Sequence, residues 1–184
     1  VGDYLSSILA AFEVTASSRV SFFSNEVSPQ TNGFVNDGPV LAEAVVFDTD
    51  YPRMSTALFD AWGNAISEID AQSKQVPIIV LVTDGFENSS AQHSRSSLIG
   101  LIEQSNAFHI VLSSGWANSS QLEEIVGSKG IVIYKYQIDE QLEIIENVRL
   151  TLSNIQTLSI GEDTTNFTKL RLSTDNTEKL VVTY

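Results

Sequence analysis

Hydrophobic residues in this chain fall into two alternating patterns: helical stripes and short, almost uninterrupted apolar runs. Leu5, Ile8, Leu9 and Phe12 recur at helical spacing and predict an amphipathic helix at the start of the sequence. Arg19–Ser24 reads as a strand, and Asn25–Pro39, rich in Asn, Gly, Ser and Pro, reads as a loop. Val40–Phe47 is ambiguous: its alanines and glutamate allow a helix, while Val-Val-Phe favours a strand. Leu58, Ala61, Trp62, Ala65, Ile66 and Ile69 form a strong stripe, with Ser55 or Thr56 available as an N-cap. The run Val76–Thr83 then predicts a strand buried on both faces. A helix over Ser94–Gln104 (Leu98, Leu101, Ile102) follows, then a strand over Ala107–Ser113. Next come a short helix over Ser119–Val126, capped by Ser120 and ended by Gly127, and a strand over Gly130–Gln137. Ile138, Leu142, Ile145, Val148 and Leu152 line a last helix.

Strands alternating with helices at this rhythm predict an α/β fold: a doubly wound, mainly parallel sheet with helices on both faces. Its strands are expected at 19–24, 76–83, 107–113 and 130–137, with Val80, Val82, Ile110, Val111, Ile131 and Ile133 buried. Beyond about Asn154 the pattern changes. Thr157–Ile160, Thr168–Ser173 and Lys179–Tyr184 alternate apolar and polar residues, as half-buried antiparallel strands do. Residues 1–154 therefore form the main domain, and 155–184 a β extension that could belong to a neighbouring β domain.

Candidate chemistry concentrates where the Val76–Thr83 run ends. Asp84 closes a buried strand, at the edge where open α/β sheets bind ligands, and Gly85 allows the backbone to turn away. A carboxylate there suits a hard divalent cation, although Asp-Gly is also a common turn pair.

Together, three segments resemble a von Willebrand factor type A domain. They are Arg19–Ser24 with its following Asn-Glu-Val, Ser55-Thr-Ala-Leu-Phe-Asp-Ala61, and Ile78–Ser90 with Thr-Asp-Gly at its centre. The order of helices and strands over 1–154 matches as well. The resemblance implies a cation site at the carboxyl edge, built from an Asp-x-Ser-x-Ser loop, a Thr on a second loop and an Asp on a third. By match to the motifs, Thr56 and Asp84 are the second and third parts, with Ser55, Gly85, Glu87, Asn88 and Trp116 as neighbouring or ligand-facing candidates. No Asp-x-Ser-x-Ser occurs in the chain, and Val1-Gly-Asp-Tyr-Leu5 resembles the residues that follow it. A central strand is then expected from another segment or a second chain, Lys179–Tyr184 included, because unpaired backbone inside a sheet is costly. For Lys179–Tyr184 itself an ordinary hairpin is the preferred reading, and the permuted strand the alternative. The implied cofactor is Mg²⁺, or Mn²⁺ or Ca²⁺, conditional on the missing loop. The implied partner is a protein ligand that completes the metal shell with an acidic side chain.

Other residues carry weaker signals. Glu87 and Asn88 could bond metal-bound waters, or simply belong to a solvated loop. Asp48 and Asp50 fit turn-forming acidic residues. Trp116, after Ser113-Ser-Gly, fits an aromatic anchor or a Trp packed over a helix end. His93 reads as a loop residue and His109 as a strand residue near the core. Asn88-Ser-Ser, Asn118-Ser-Ser and Asn166-Phe-Thr match the glycosylation pattern.

Composition narrows the functions. With 23 acidic against 10 basic residues, the net charge of −13 argues against nucleic acid, which requires clustered Lys and Arg. Zero cysteines exclude thiolate chemistry and disulfides, and two histidines leave little for a His-based catalytic or zinc site. No apolar run reaches the roughly 20 residues of a membrane span. A nucleophile elbow and a phosphate-binding glycine loop are both lacking, which disfavours a hydrolase. The leading expectation is a non-catalytic, extracellular or cell-surface adhesion or assembly module. The alternatives are an intracellular partner subunit of an ATPase or chelatase and, further off, a hydrolase.

Overall fold

The computed structural model describes residues 17–45, 55–72, 77–113, 119–134, 143, 170–172 and 180–182. The expected first and last helices, Asp48, Asp50, Trp116 and Asn118 lie outside them. By contacts the chain divides into two units, Val1–Leu150 and Thr151–Tyr184.

In the first unit, β3 (Ile78–Thr83), β4 (Phe108–Ser113) and β5 (Gly130–Tyr134) form a parallel sheet in that order. The crossovers are α3 (Arg95–Gln104) and α4 (Ser119–Val126), the latter running into a 3-10 turn at Gly127–Lys129. With α1 (Gly38–Ala44) and α2 (Leu58–Asp70), this is the mixed α/β architecture that the alternating pattern predicts. Ser94 caps α3 in a capping box with Ser97, whose hydroxyl accepts from the Ser94 N–H. Asp37 caps α1, which settles the ambiguous segment as helical over Gly38–Ala44.

Because side chains alternate along a strand, Ile79, Leu81 and Val111 project to one side. There they pack with Leu58, Phe59, Trp62 and Ile66 of α2, Leu98 and Ile102 of α3, and Leu122, Ile125 and Val126 of α4. Of the six residues expected in the core, Ile110, Val111 and Ile133 are buried, whereas Val80, Val82 and Ile131 are only half-buried. The difference for Val80 and Val82 has a positional cause. Among the described residues β3 is an edge of its sheet, so the face turned from α2 lacks a neighbouring strand on one side.

The segment expected at 19–24 corrects the sequence reading in a second way. Its strand, β1 (Ser21–Phe23), pairs antiparallel with β2 (Val27–Pro29), inside what reads as a loop. Pro29, which cannot donate to a ladder, stands at the end of β2. A bridge between Ser18 and Val35 extends this hairpin. Composition hides β2 because Ser28 and Pro29 are poor strand formers, and pairing with Ser21–Phe23 supports Val27–Pro29 as a strand.

In the second unit, β6 (Leu170–Leu172) and β7 (Leu180–Val182) pair antiparallel. Leu180–Val182 therefore belongs to a hairpin, the reading that the sequence favours there over a permuted central strand.

One contact in the sheet is close enough to test the register. A Cβ on Gly130 would lie 1.9 Å from the carbonyl oxygen of His109, its register partner. Gly130→Ala is expected to lower stability by about 1–3 kcal/mol, since the β4–β5 ladder must open to admit the methyl group. Urea unfolding followed by circular dichroism measures this, and an unchanged midpoint would contradict the register.

Candidate functional site

Asp84 occupies the position that its strand dictates. Thr83, the last residue of β3, is buried, and its hydroxyl accepts the Gly85 N–H at 2.9 Å. Gly85 adopts φ +79°, a left-handed conformation that side-chain-bearing residues rarely take. The chain thus turns off the sheet with the Asp84 side chain exposed, one carboxylate oxygen accepting the Phe86 N–H at 3.1 Å. Phe86, 56% exposed, stands beside it. Ser113, level with Thr83 at the end of β4, is fully buried, and its hydroxyl has no hydrogen-bond partner among the described residues.

The second loop, Ser55-Thr56-Ala57, lies against the loop that Asp84 opens. The Thr56 N–H donates to Asn88 Oδ1 at 2.7 Å, and the Thr56 carbonyl accepts from the Asn88 and Ser89 N–H groups at 3.0 and 3.2 Å. On the other side the Ala57 N–H donates to the Ser24 carbonyl, linking this loop to the end of β1. Ser55 and Thr56 are both half-buried.

Neither Ser55 nor Thr56 caps α2, which corrects the sequence expectation. The N-cap position is Ala57, and it makes no side-chain capping bond. Capping comes instead from the neighbouring loop. One Glu87 oxygen accepts the Phe59 N–H at 3.0 Å, and Ser90 Oγ accepts the Asp60 N–H at 3.1 Å. The same Glu87 oxygen accepts the Ser90 hydroxyl at 2.7 Å, and the other accepts the Ser89 and Ser90 N–H groups. Free helix N–H groups and the positive end of the helix dipole favour a carboxylate at this place. Glu87 and Asn88, for which the sequence leaves open either a solvated loop or contacts to metal-bound water, are engaged with α2 and Thr56.

Asp60 answers in the opposite direction. Its carboxylate, on the first turn of α2, accepts the N–H groups of Ala91, Gln92 and His93 at 2.7–3.2 Å. It is buried, 7% exposed. Burial pushes its carboxyl up, but the three backbone donors, helped by the nearby His93, more than offset this and hold it below the ordinary aspartate value.

Behind this edge lies a second polar contact. Trp62, fully buried in α2, donates its indole N–H to His109 Nδ1 at 2.9 Å. Their ring centroids are 5.8 Å apart. His109 is itself fully buried, and its Nε2 has no partner among the described residues. Burial pushes the imidazole down to about 4, with the Asp70 charge opposing and Lys129 assisting. It is therefore neutral, with Nδ1 as the acceptor.

Asp60, Ser90 and the Trp62–His109 pair escaped the sequence reading. The signal for Asp60 was present as a charged residue between Phe59 and Trp62 on a strongly apolar turn. Among the described residues no three His, Cys, Asp or Glu side chains form a group that could hold a metal ion. No helix among them is long and apolar enough to cross a membrane.

No family model matches the sequence, and no curated protein is significantly similar to it. Solved structures are similar in fold. Proximal thread matrix protein 1 from the mussel byssus superposes with a TM-score of 0.65 at 19% identity, over 82% of this chain and 39% of that one. A von Willebrand factor type A protein from Catenulispora acidiphila gives 0.62 at 15% identity, over 80% and 37%. The PilB minor pilin from Streptococcus sanguinis gives 0.63 at 11% identity, over 84% and 52%. The chain thus spans about two fifths to half the length of these proteins. At such identities the likeness concerns the fold, and on that ground the chain has the fold of a von Willebrand factor type A domain.

Proposed function

We propose that the carboxyl edge of the sheet is a non-catalytic protein-binding site, used in adhesion or assembly outside the cell, to which Thr56 and Asp84 contribute oxygen ligands for a divalent cation. The observation that carries this reading is the three-bond attachment of Thr56 to Asn88 and Ser89, on the loop that begins with the exposed Asp84 carboxylate. A carboxylate and a hydroxyl are hard donors and fit Mg²⁺, Mn²⁺ or Ca²⁺. They form part of a shell that water and an Asp-x-Ser-x-Ser loop complete. When bound, the cation supplies an open position for an acidic side chain of the partner. Asp84 is the anionic ligand, and Thr56 orients a neutral oxygen beside it. Support comes also from a solved structure of the byssus matrix protein with a zinc-occupied MIDAS motif, which has this fold at a TM-score of 0.61 and 14% identity. A byssus protein and a pilin among the similar structures favour the extracellular setting.

Titrating Mg²⁺ or Mn²⁺ into the full-length protein tests the reading. Ligand at a hundredfold excess over Kd stabilises by about 2.7 kcal/mol, a rise in Tm of several degrees, and Asp84→Ala should abolish that rise. Equal responses in the two proteins would make Asp84 an ordinary turn residue.

A further inference from the structure

Asp60 and Glu87 form a reciprocal tie between α2 and the loop after β3. Glu87, on the loop, holds the first turn of α2 through the Phe59 N–H, while Asp60, on that turn, holds the loop through three consecutive N–H groups. Ser90 closes the circle, accepting from the Asp60 N–H and donating to Glu87. Counting the Ser89 and Ser90 N–H groups on Glu87, two carboxylates take up six backbone donors. Among the described residues the ion pairs are Arg19–Glu68 and Arg95–Glu124, so neither Asp60 nor Glu87 is paired with a Lys or Arg side chain.

This arrangement suits preorganisation better than fold stability alone. Residues 84–94 contain no regular backbone hydrogen bonding, and α2 has no side-chain cap of its own. Without the two carboxylates, the loop carrying Asp84 and the turn carrying Thr56 would be joined chiefly through Asn88 and Ser89. Charge-assisted bonds are also the stronger kind. We propose that Asp60 and Glu87 are positioning residues for the Thr56–Asp84 site, fixing both loops as one unit before a cation or ligand arrives. This rests on the cation reading given above.

The test is Mn²⁺ affinity in the full-length protein, measured by calorimetry for the wild type, Asp60→Ala, Asp60→Asn, Glu87→Gln and a core control, Ile102→Val. Hydrogen exchange is followed in parallel at residues 56–60 and 89–93. Asp60→Ala should weaken Mn²⁺ binding at least tenfold and speed exchange in those segments, with β4 amides still protected. Asp60→Asn keeps one acceptor oxygen, for Gln92 and His93, but turns a donor toward the Ala91 N–H, and should bind with an affinity between those of the wild type and Asp60→Ala. Glu87→Gln, which exchanges one acceptor oxygen for a donor, should lose affinity even if Asp60→Ala fails to fold. Ile102→Val should bind normally despite its lower stability. Wild-type affinity in Asp60→Ala or Glu87→Gln would overturn the assignment. So would weakened Mn²⁺ binding with wild-type exchange rates at residues 56–60 and 89–93, since the charge and not the tie would then matter. A wild type that binds no Mn²⁺ and is indistinguishable from Asp84→Ala would instead remove the underlying cation reading.

Discussion

Trp62→Ala should cost about 4 kcal/mol or more, enough to leave a domain of ordinary stability barely folded. Trp62 is fully buried where α2 meets the sheet, among Leu58, Ile66, Leu98 and Val111. Truncating a large buried aromatic residue removes its transfer free energy and leaves a cavity that close-packed neighbours only partly refill. The loss also strips the buried His109 Nδ1 of its donor. Trp62→Phe separates the two effects. It fills most of the volume but makes no hydrogen bond, and is expected to cost about 1–3 kcal/mol. Urea unfolding of both variants reads the result directly. A Trp62→Phe protein as stable as the wild type would show that the indole–imidazole bond contributes nothing.

Acid should remove stability through His109. The unfolded imidazole titrates near 6.5, whereas burial holds the folded group at about 4. Between those values the unfolded chain binds a proton that the native one refuses, so stability falls as the pH falls. The contribution of the neutral imidazole is complete above 6.5 and is lost by about pH 4, a change of about 3 kcal/mol. Protonation would also set an N–H on Nδ1 against the Trp62 indole N–H, turning an attraction into a clash of donors. Many carboxylates titrate in the same range in so acidic a chain, so the measurement must be differential. His109→Gln keeps a neutral acceptor, and its stability profile between pH 7 and 4 should be the flatter one. Parallel profiles would mean that His109 is not the group responsible.

Much of the fold was legible because periodicity is a local property. Val76–Thr83, Ala107–Ser113 and Gly130–Gln137 are apolar runs too short for helices, and the structure places strands within each. The stripe through Leu58, Trp62 and Ile66 is the one that packs on the sheet. Legibility failed where the stabilising partner is distant in sequence. Val27–Pro29 has a single strand-forming residue, Val27, and reads as a strand only where it pairs with Ser21–Phe23. Val80 and Val82 look like core residues, but how far they are buried depends on which strand stands beside β3, not on their own hydrophobicity.

The candidate site divides along the same line. Asp84 at the end of an apolar run, followed by a glycine, was determined by the sequence alone, since a buried strand must end and Asp-Gly turns sharply. That α2 starts without a cap of its own, with Glu87 and Ser90 supplying one from about 30 residues away, was decided only by the tertiary structure. The physical reason is the reach of each force. Hydrophobic periodicity and turn chemistry act over a few neighbouring residues and leave their mark in the order of amino acids. A hydrogen bond from a carboxylate to a backbone N–H depends on where two loops meet, and since every residue except proline carries that N–H, the sequence does not say which one Asp60 will find.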